Sequence, residues 1–202
     1  MPNGDIDWSA KGMVTAVKNQ GKCQADYAFS AVAACESWAL LNNNPVDLSE
    51  QQLVDCSKDY NNNGCSGGFP AGSLSYVKAR GLVLEKEYPY VAKELLSCQH
   101  NKGAFKVGGH QLISGGCPAL IDILNSEPVI VSVDAAKWAD YKSGVISKCG
   151  LLPNHSVLLV GVVGGNWKIK NSWGTGWGES GYVRLAPGST CSICLKAGVI
   201  PV

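Results

Sequence analysis

Three stretches of this 202-residue chain carry side chains that could act on a substrate together: Asn19-Gln-Gly-Lys-Cys-Gln-Ala-Asp-Tyr-Ala-Phe29, Asn154-His-Ser156 and Lys170-Asn-Ser-Trp-Gly-Thr-Gly-Trp-Gly178. Between them they offer a carboxylate (Asp26), an imidazole (His155) and two amides (Gln20 and Asn171). Amide cleavage through an acyl-enzyme needs a nucleophile, a base beside it, a group that orients the base, and donors for the oxyanion. The chain has three histidines, His100, His110 and His155. Only His155 opens an apolar strand-like run and is followed sixteen residues later by Asn-Ser-Trp-Gly. Plainer readings stand beside these: His155 as a satisfied core histidine, Asn171 as a turn residue, Gln20 as a polar residue leading into a helix, and Trp173 and Trp177 as ordinary packing.

The elements that must position these groups change character along the chain. Residues 27–41 are apolar almost all the way round, which marks a central, buried helix. Ser49 with Gln52 makes a capping box before Leu53 and Val54, so a second helix starts there. A third is expected over 70–80, with Pro70 at its start and Gly81 just past its end. Beyond a boundary near Lys106 to Gly109, short β-type runs take over at 128–133, 156–163, 167–170 and 181–185. Helices first and strands second predict an α+β protein in two lobes. The division is 1–107 for a mainly helical lobe and 108–202 for a β-rich lobe carrying His155 and Asn171.

Composition narrows the function classes. At 46% hydrophobic the chain can bury a sizeable core, and a net charge of +1 gives no field that favours nucleic acid or an anionic membrane. The longest apolar stretch, Val157 to Val163, is too short to cross a bilayer. Nine cysteines scattered along the chain point to a disulfide-bonded protein of an oxidising compartment, secreted or lysosomal/vacuolar. Cys191-Ser-Ile-Cys194 has the two-residue gap of a zinc site, but no second pair answers it. No leader pattern precedes Asp5-Ile-Asp-Trp8, so any targeting or pro-segment is expected to have been removed or left out.

With these stretches in order, the sequence resembles the papain/cathepsin L family of cysteine peptidases. That family carries a cysteine within C-G-[SA]-C-[WY], with His and Asn about 130 to 150 residues downstream. This chain has Cys23-Gln-Ala-Asp-Tyr27, with His155 at 129 and Asn171 at 145 residues beyond position 26. Asp7-Trp8, Val17-Lys-Asn-Gln20, Leu48-Ser-Glu-Gln-Gln-Leu-Val-Asp-Cys56 and Gly64-Cys-Ser-Gly-Gly68 resemble the family in the same order, across essentially the whole chain.

The resemblance implies a papain-like fold, a helical left lobe and an antiparallel β-barrel-like right lobe with the cleft between them, the extreme N-terminus packing on the second lobe. It implies His155 as the base, Asn171 as its orienting amide and Trp173 as a shield over their hydrogen bond. Gln20 and the backbone N–H of residue 26 become the oxyanion donors. Gly67 and Gly68 become the bare backbone along which a peptide lies. Phe69, Pro70 and Ser132 wall an apolar main pocket, and Asn154, Trp173 and Trp177 are further substrate-binding residues. The pocket floor falls near Leu195 to Ala197, and with Lys196 pointing in, acidic side chains are accepted as well. The glycosylation pattern Asn154-His-Ser156 is read as a chance match, because it lies in the cleft.

The same resemblance pairs Cys23–Cys65, Cys56–Cys98 and Cys149–Cys191. Cys35 is read as a small buried hydrophobe; Cys117 and Cys194 are either free or paired with each other. The implied occupants of the cleft are a peptide or protein substrate, a pro-segment or a cystatin-like inhibitor. No cofactor, metal, nucleic acid or membrane is implied, and the chain is expected to be a monomer.

Position 26 departs from the pattern: the resemblance places the nucleophilic cysteine where Asp26 stands. Gln24 in place of glycine and Tyr27 in place of tryptophan are smaller departures. A carboxylate suits a helix N-terminus, and its charge beside His155 is expected to raise the imidazole pKa. Four functional readings follow. They are a natural pseudoenzyme that binds peptides, an active-site variant made deliberately from an endopeptidase, a hydrolase in which Asp26 and His155 activate water, and an unrelated structural disulfide protein.

Overall fold

A computed structural model describes residues 4–202; Met1 to Asn3, where the reading of a missing leader begins, lie outside the described residues. Helix α1 (Asp26–Leu41) has buried residues on every side, from Tyr27 through Ala39. Its run of alanines and small polar residues lets neighbours approach closely, and it packs against α2 (Glu50–Cys56), α3 (Pro70–Arg80) and the sheet. Ser49 caps α2, its Oγ accepting from the Gln52 N–H at 3.1 Å. Only that half of the capping box forms. The Gln52 side chain turns away to donate to Tyr76 Oη and the Gly81 carbonyl and to accept from the Val83 N–H, while Val83 O accepts from the Ser49 N–H.

The remaining named elements are β1 (Ile6–Asp7), β2 (His110–Ile113), α4 (Gly116–Leu124), β3 (Val129–Val133), β4 (Val145–Ile146), β5 (His155–Val163), β6 (Asn166–Lys170), β7 (Tyr182–Leu185) and β8 (Gly198–Pro201). They form one sheet in the order β2-β8-β3-β5-β6-β7-β4, with β1 paired to β5. Pairings are antiparallel except β4 with β7. Strand β5 is buried over almost its full length, between α1 on one side and its strand neighbours. The sheet is thus wider than the four runs legible in the sequence, and α4 interrupts the expected all-strand second half. That helix buries only Leu120 and Leu124, one turn apart, and begins at Gly-Cys-Pro, so it carries little helical signal.

Four disulfides staple the molecule: Cys23–Cys65, Cys56–Cys98, Cys149–Cys191 and Cys117–Cys194. Cys35 is buried and free among the described residues. Cys191 and Cys194 therefore serve two different bridges.

A cluster of charge locks the helical half. Lys18 Nζ lies 2.9 Å from Glu36, 2.8 Å from Asp47 and 3.0 Å from Glu50. Glu36 of α1 and Glu50 of α2 are each only 1% exposed, so the lysine is what makes their burial tolerable. Glu36 also accepts the Leu48 N–H at 2.9 Å, which fixes the approach of the chain to α2.

Candidate active site

The site lies where the first turn of α1 meets the start of β5. The Cys23–Cys65 bridge and the Tyr27 hydroxyl, donating to the Gly64 carbonyl at 2.9 Å, hold the loop before α1 against the glycine-rich loop 64–68. Asp26, half-buried in the first helical turn, reaches across to the other lobe: its Oδ2 accepts the Ser156 N–H at 2.7 Å. His155 Nδ1 lies 3.8 Å from the same oxygen.

The other ring nitrogen is committed. Asn171 Oδ1 accepts from His155 Nε2 at 2.8 Å and from the Ser172 N–H at 2.9 Å. The second contact fixes the amide as an acceptor, so Nε2 carries the proton and Nδ1 of the neutral ring faces Asp26. Asn171 follows β6, whose exit is tied back to the N-terminal segment: Gln20 N–H donates to the Ser172 carbonyl at 2.9 Å, and Gly174 N–H to the Lys18 carbonyl at 3.0 Å.

Aromatic rings close the back of the imidazole. Trp173 lies with its ring 5.1 Å from that of His155, and Trp138 meets the imidazole edge-on at 6.4 Å. Trp177 does not line the cleft, which corrects its expected role in substrate binding. Its ring is buried, stacked on Trp138 at 6.1 Å, with Nε1 donating to the Trp138 carbonyl. It supports Trp173 from behind, at 5.1 Å.

His155 is buried, and this overturns the expectation of a raised pKa. Burial disfavours the charged ring and pushes its pKa below the ordinary value of about 6.5; the Asp26 charge and the Asn171 hydrogen bond oppose that without overcoming it. The pairing with Asp26 is too long for a hydrogen bond, and the carboxylate already spends Oδ2 on Ser156.

Gln20 is oriented by two contacts: Oε1 accepts from Ser172 Oγ at 2.6 Å, and Nε2 donates to the Cys23 carbonyl at 2.9 Å. One amide hydrogen of Nε2 remains for a ligand. Gln20, Asp26 and His155 share one open cleft of about 420 Å³ with Gly67, Gly68, Phe69, Pro70, Ser132, Asn154 and Trp173. That volume is in the range of small-molecule and peptide side-chain sites. A side chain at Gly68 would displace its neighbours: an added Cβ would sit 2.4 Å from Asn62 Oδ1 and 2.9 Å from the Tyr27 ring. Asn62 Oδ1 also accepts the Phe69 N–H at 2.8 Å, presenting Phe69, 63% exposed, to the cleft. Gln24, Pro153, Ser156 and Lys196 complete the lining. Gln24 and Ser156 lie inside the quoted motif stretches without a cleft role of their own there, and Pro153 had no signal of its own in the sequence.

An imidazole on a sheet facing a buried helix N-terminus on a second lobe, with an orienting amide behind it, defines a two-lobed, papain-like peptidase scaffold. The chain belongs to the papain family of cysteine proteases, whose sequence pattern it matches over residues 2–199. It is 46% identical over 195 residues to "Cathepsin L 1" of Paramecium tetraurelia, an alignment covering 94% of this chain and 62% of that protein. The chain thus spans less than two thirds of that relative's length. Its fold superposes with a TM-score of 0.91 on the Carica candamarcensis cysteine protease CMS1MS2 in complex with E-64, at 36% identity, covering 100% of this chain and 99% of the other. The bromelain protease of Ananas comosus, in complex with the E64 inhibitor, gives 0.89 at 33% identity, with the same coverage.

Proposed function

We propose that this chain is a papain-like endopeptidase homologue that binds peptides in its cleft and cleaves them poorly or not at all, because Asp26 stands at the position of the nucleophilic cysteine. One observation carries the reading: the side chain that opens α1 and faces His155 Nδ1 at 3.8 Å is a carboxylate. No thiol is at hand, since Cys23, three residues upstream, is bonded to Cys65.

The chemistry supports the loss. A carboxylate is a far weaker nucleophile toward an amide than a thiolate, and its attack would form a mixed anhydride that lies uphill of the amide. Losing a triad nucleophile in another protease costs about a millionfold in kcat. The remaining equipment is that of a ligand-binding cleft: a bare backbone at Gly67 and Gly68, an apolar wall at Phe69 and Pro70, and amide donors at Gln20 and the backbone of residue 26. The inhibitor-bound state of the two solved relatives supports occupancy of the same cleft. Four disulfides and a cathepsin L relative support a secreted or lysosomal setting. A pro-segment or a cystatin-like inhibitor would compete for the same groove.

The test is binding without turnover. A fluorescent apolar peptide should show saturable anisotropy with the unaltered chain and be recovered intact after prolonged incubation. Cleavage that disappears in Asp26→Asn would establish instead the hydrolase in which Asp26 and His155 activate water.

A further inference from the structure

A second pocket, of about 520 Å³, lies on the helical half and shares no lining residue with the cleft. Phe29 of α1, Glu50 at the start of α2, Glu85 and Tyr90 form much of its wall. Hydrogen bonds hold that wall in place. Glu85 N–H donates to the Asp47 carbonyl at 2.9 Å, and Tyr90 N–H donates to Glu85 Oε1 at 2.8 Å. The Tyr90 hydroxyl donates to the Gln20 carbonyl at 2.8 Å, and its ring meets that of Phe29 edge-on at 4.8 Å.

Carboxylates outnumber cations around this pocket. Glu36, Asp47 and Glu50 share the single ammonium of Lys18, and Glu85 makes no ion pair among the described residues. Lys170, the other lysine near the cluster, is buried and donates to Thr15 Oγ1 at 3.2 Å; it too makes no ion pair among the described residues. Two carboxylate oxygens on the pocket's residues, Glu50 Oε2 and Glu85 Oε2, are buried with no hydrogen-bond partner. Glu50 as a whole is 1% exposed. An acceptor left unanswered in this way costs free energy that a donor would recover. Burial pushes the Glu50 carboxyl up to about 8 against the pull of Lys18, so a further cation is what would let it hold its charge at neutral pH.

We propose that this pocket binds an alkylammonium group, whose nitrogen donates to Glu50 Oε2 and Glu85 Oε2 and whose methylenes lie against Phe29, Tyr90 and Ala16. Charge-assisted hydrogen bonds to two otherwise unpartnered carboxylate oxygens supply the polar half of the contact. The mainly apolar wall supplies the other half. A bare metal ion suits the pocket less well, since among the described residues no three His, Cys, Asp or Glu side chains are grouped to hold one. A free amine and the side chain of a protein lysine share the required chemistry. The proposal is independent of peptide binding in the cleft and of the residue at position 26.

The probes are n-pentylammonium chloride and Nα-acetyl-lysine methylamide, titrated into the isotopically labelled chain at pH 8 and fixed ionic strength and followed by amide NMR. Saturable shifts centred on residues 15–19, 85 and 90 are expected. Neutral 1-pentanol should bind about fivefold more weakly than pentylammonium, the worth of an ion pair near the surface. The tighter of the two ammonium probes identifies a free amine or a lysine side chain as the source. Glu85→Gln keeps an oxygen for the Tyr90 N–H and should weaken pentylammonium about fivefold while leaving pentanol unchanged. Ala16→Phe, at an exposed position of the pocket wall, should block both. Absence of saturable binding, equal affinity for pentanol and pentylammonium, or undiminished affinity in Glu85→Gln would overturn the proposal. So would the same shifts from sodium at equal concentration, or shifts centred on His155 and Gly68.

Discussion

At position 26 the outcome turns on a single functional group. Aspartate is comfortable at the first turn of α1, where the exposed backbone N–H groups favour negative charge, so its presence does not argue against a stable helix. What a carboxylate lacks is the nucleophilicity of a thiolate toward an amide. The imidazole it faces is governed by burial more than by that charge, and the direction of the shift can be measured. His155 should titrate by NMR below the ordinary 6.5, and Asp26→Asn should move it lower still, since the carboxylate is what partly offsets burial. A midpoint at or above 6.5 would contradict this. The same shift sets a pH dependence of stability. In the unfolded chain the histidine binds its proton at about 6.5, and in the folded protein only at lower pH. Between those values the unfolded state holds more protons, so stability is full above 6.5 and falls as the pH drops below it. Denaturant midpoints at pH 7.5 and 5, compared with those of His155→Gln, would isolate this contribution from that of the carboxylates.

Among the elements, the positions of α1, α2 and α3 were legible, whereas α4 and the strand partners were not. Ser49, Pro70 and Gly81 are local signals, and α2 and α3 begin or end on them. The pairing of β1 with β5 or of β4 with β7 links residues far apart in sequence, and two-residue strands have no periodicity to detect. Trp177 illustrates a different limit: the motif around Asn171 marks the neighbourhood but not which ring faces the cleft. Burial of Glu50 had no signal in the sequence, and that of Glu36 followed only from its place on a helix read as buried all round. Their dependence on Lys18 yields a prediction at this scale. Lys18→Met should destabilise the protein by about 3–5 kcal/mol, since it leaves two buried carboxylates without their partner. A loss under about 1 kcal/mol in chemical denaturation would show that the cluster does not hold α1 to α2.

Across the whole molecule, the motifs in order carried the family and the two-lobed α+β class, since they recur from Asp7-Trp8 to Lys170-Asn-Ser-Trp-Gly174. The last disulfide was beyond them: Cys117 and Cys194 are 77 residues apart, and only the folded arrangement of α4 beside the 191–197 segment brings them together. Intact mass without reductant should therefore lie eight hydrogens below that of the fully reduced chain, with Cys35 alkylated only after denaturation. Two additional reactive thiols in the native protein would mean that Cys117 and Cys194 are not bridged.

The central claim is that the cleft, base, orienting amide and oxyanion donors remain around one absent nucleophile. It is tested most directly by assaying Asp26→Cys beside the unaltered chain on one fluorogenic peptide at matched concentrations. The account predicts strong thiol-dependent cleavage in the variant, lost again in Asp26→Cys combined with His155→Ala, and little or none in the unaltered chain. Equal cleavage by the two proteins, or a correctly folded Asp26→Cys variant with no activity, would contradict it.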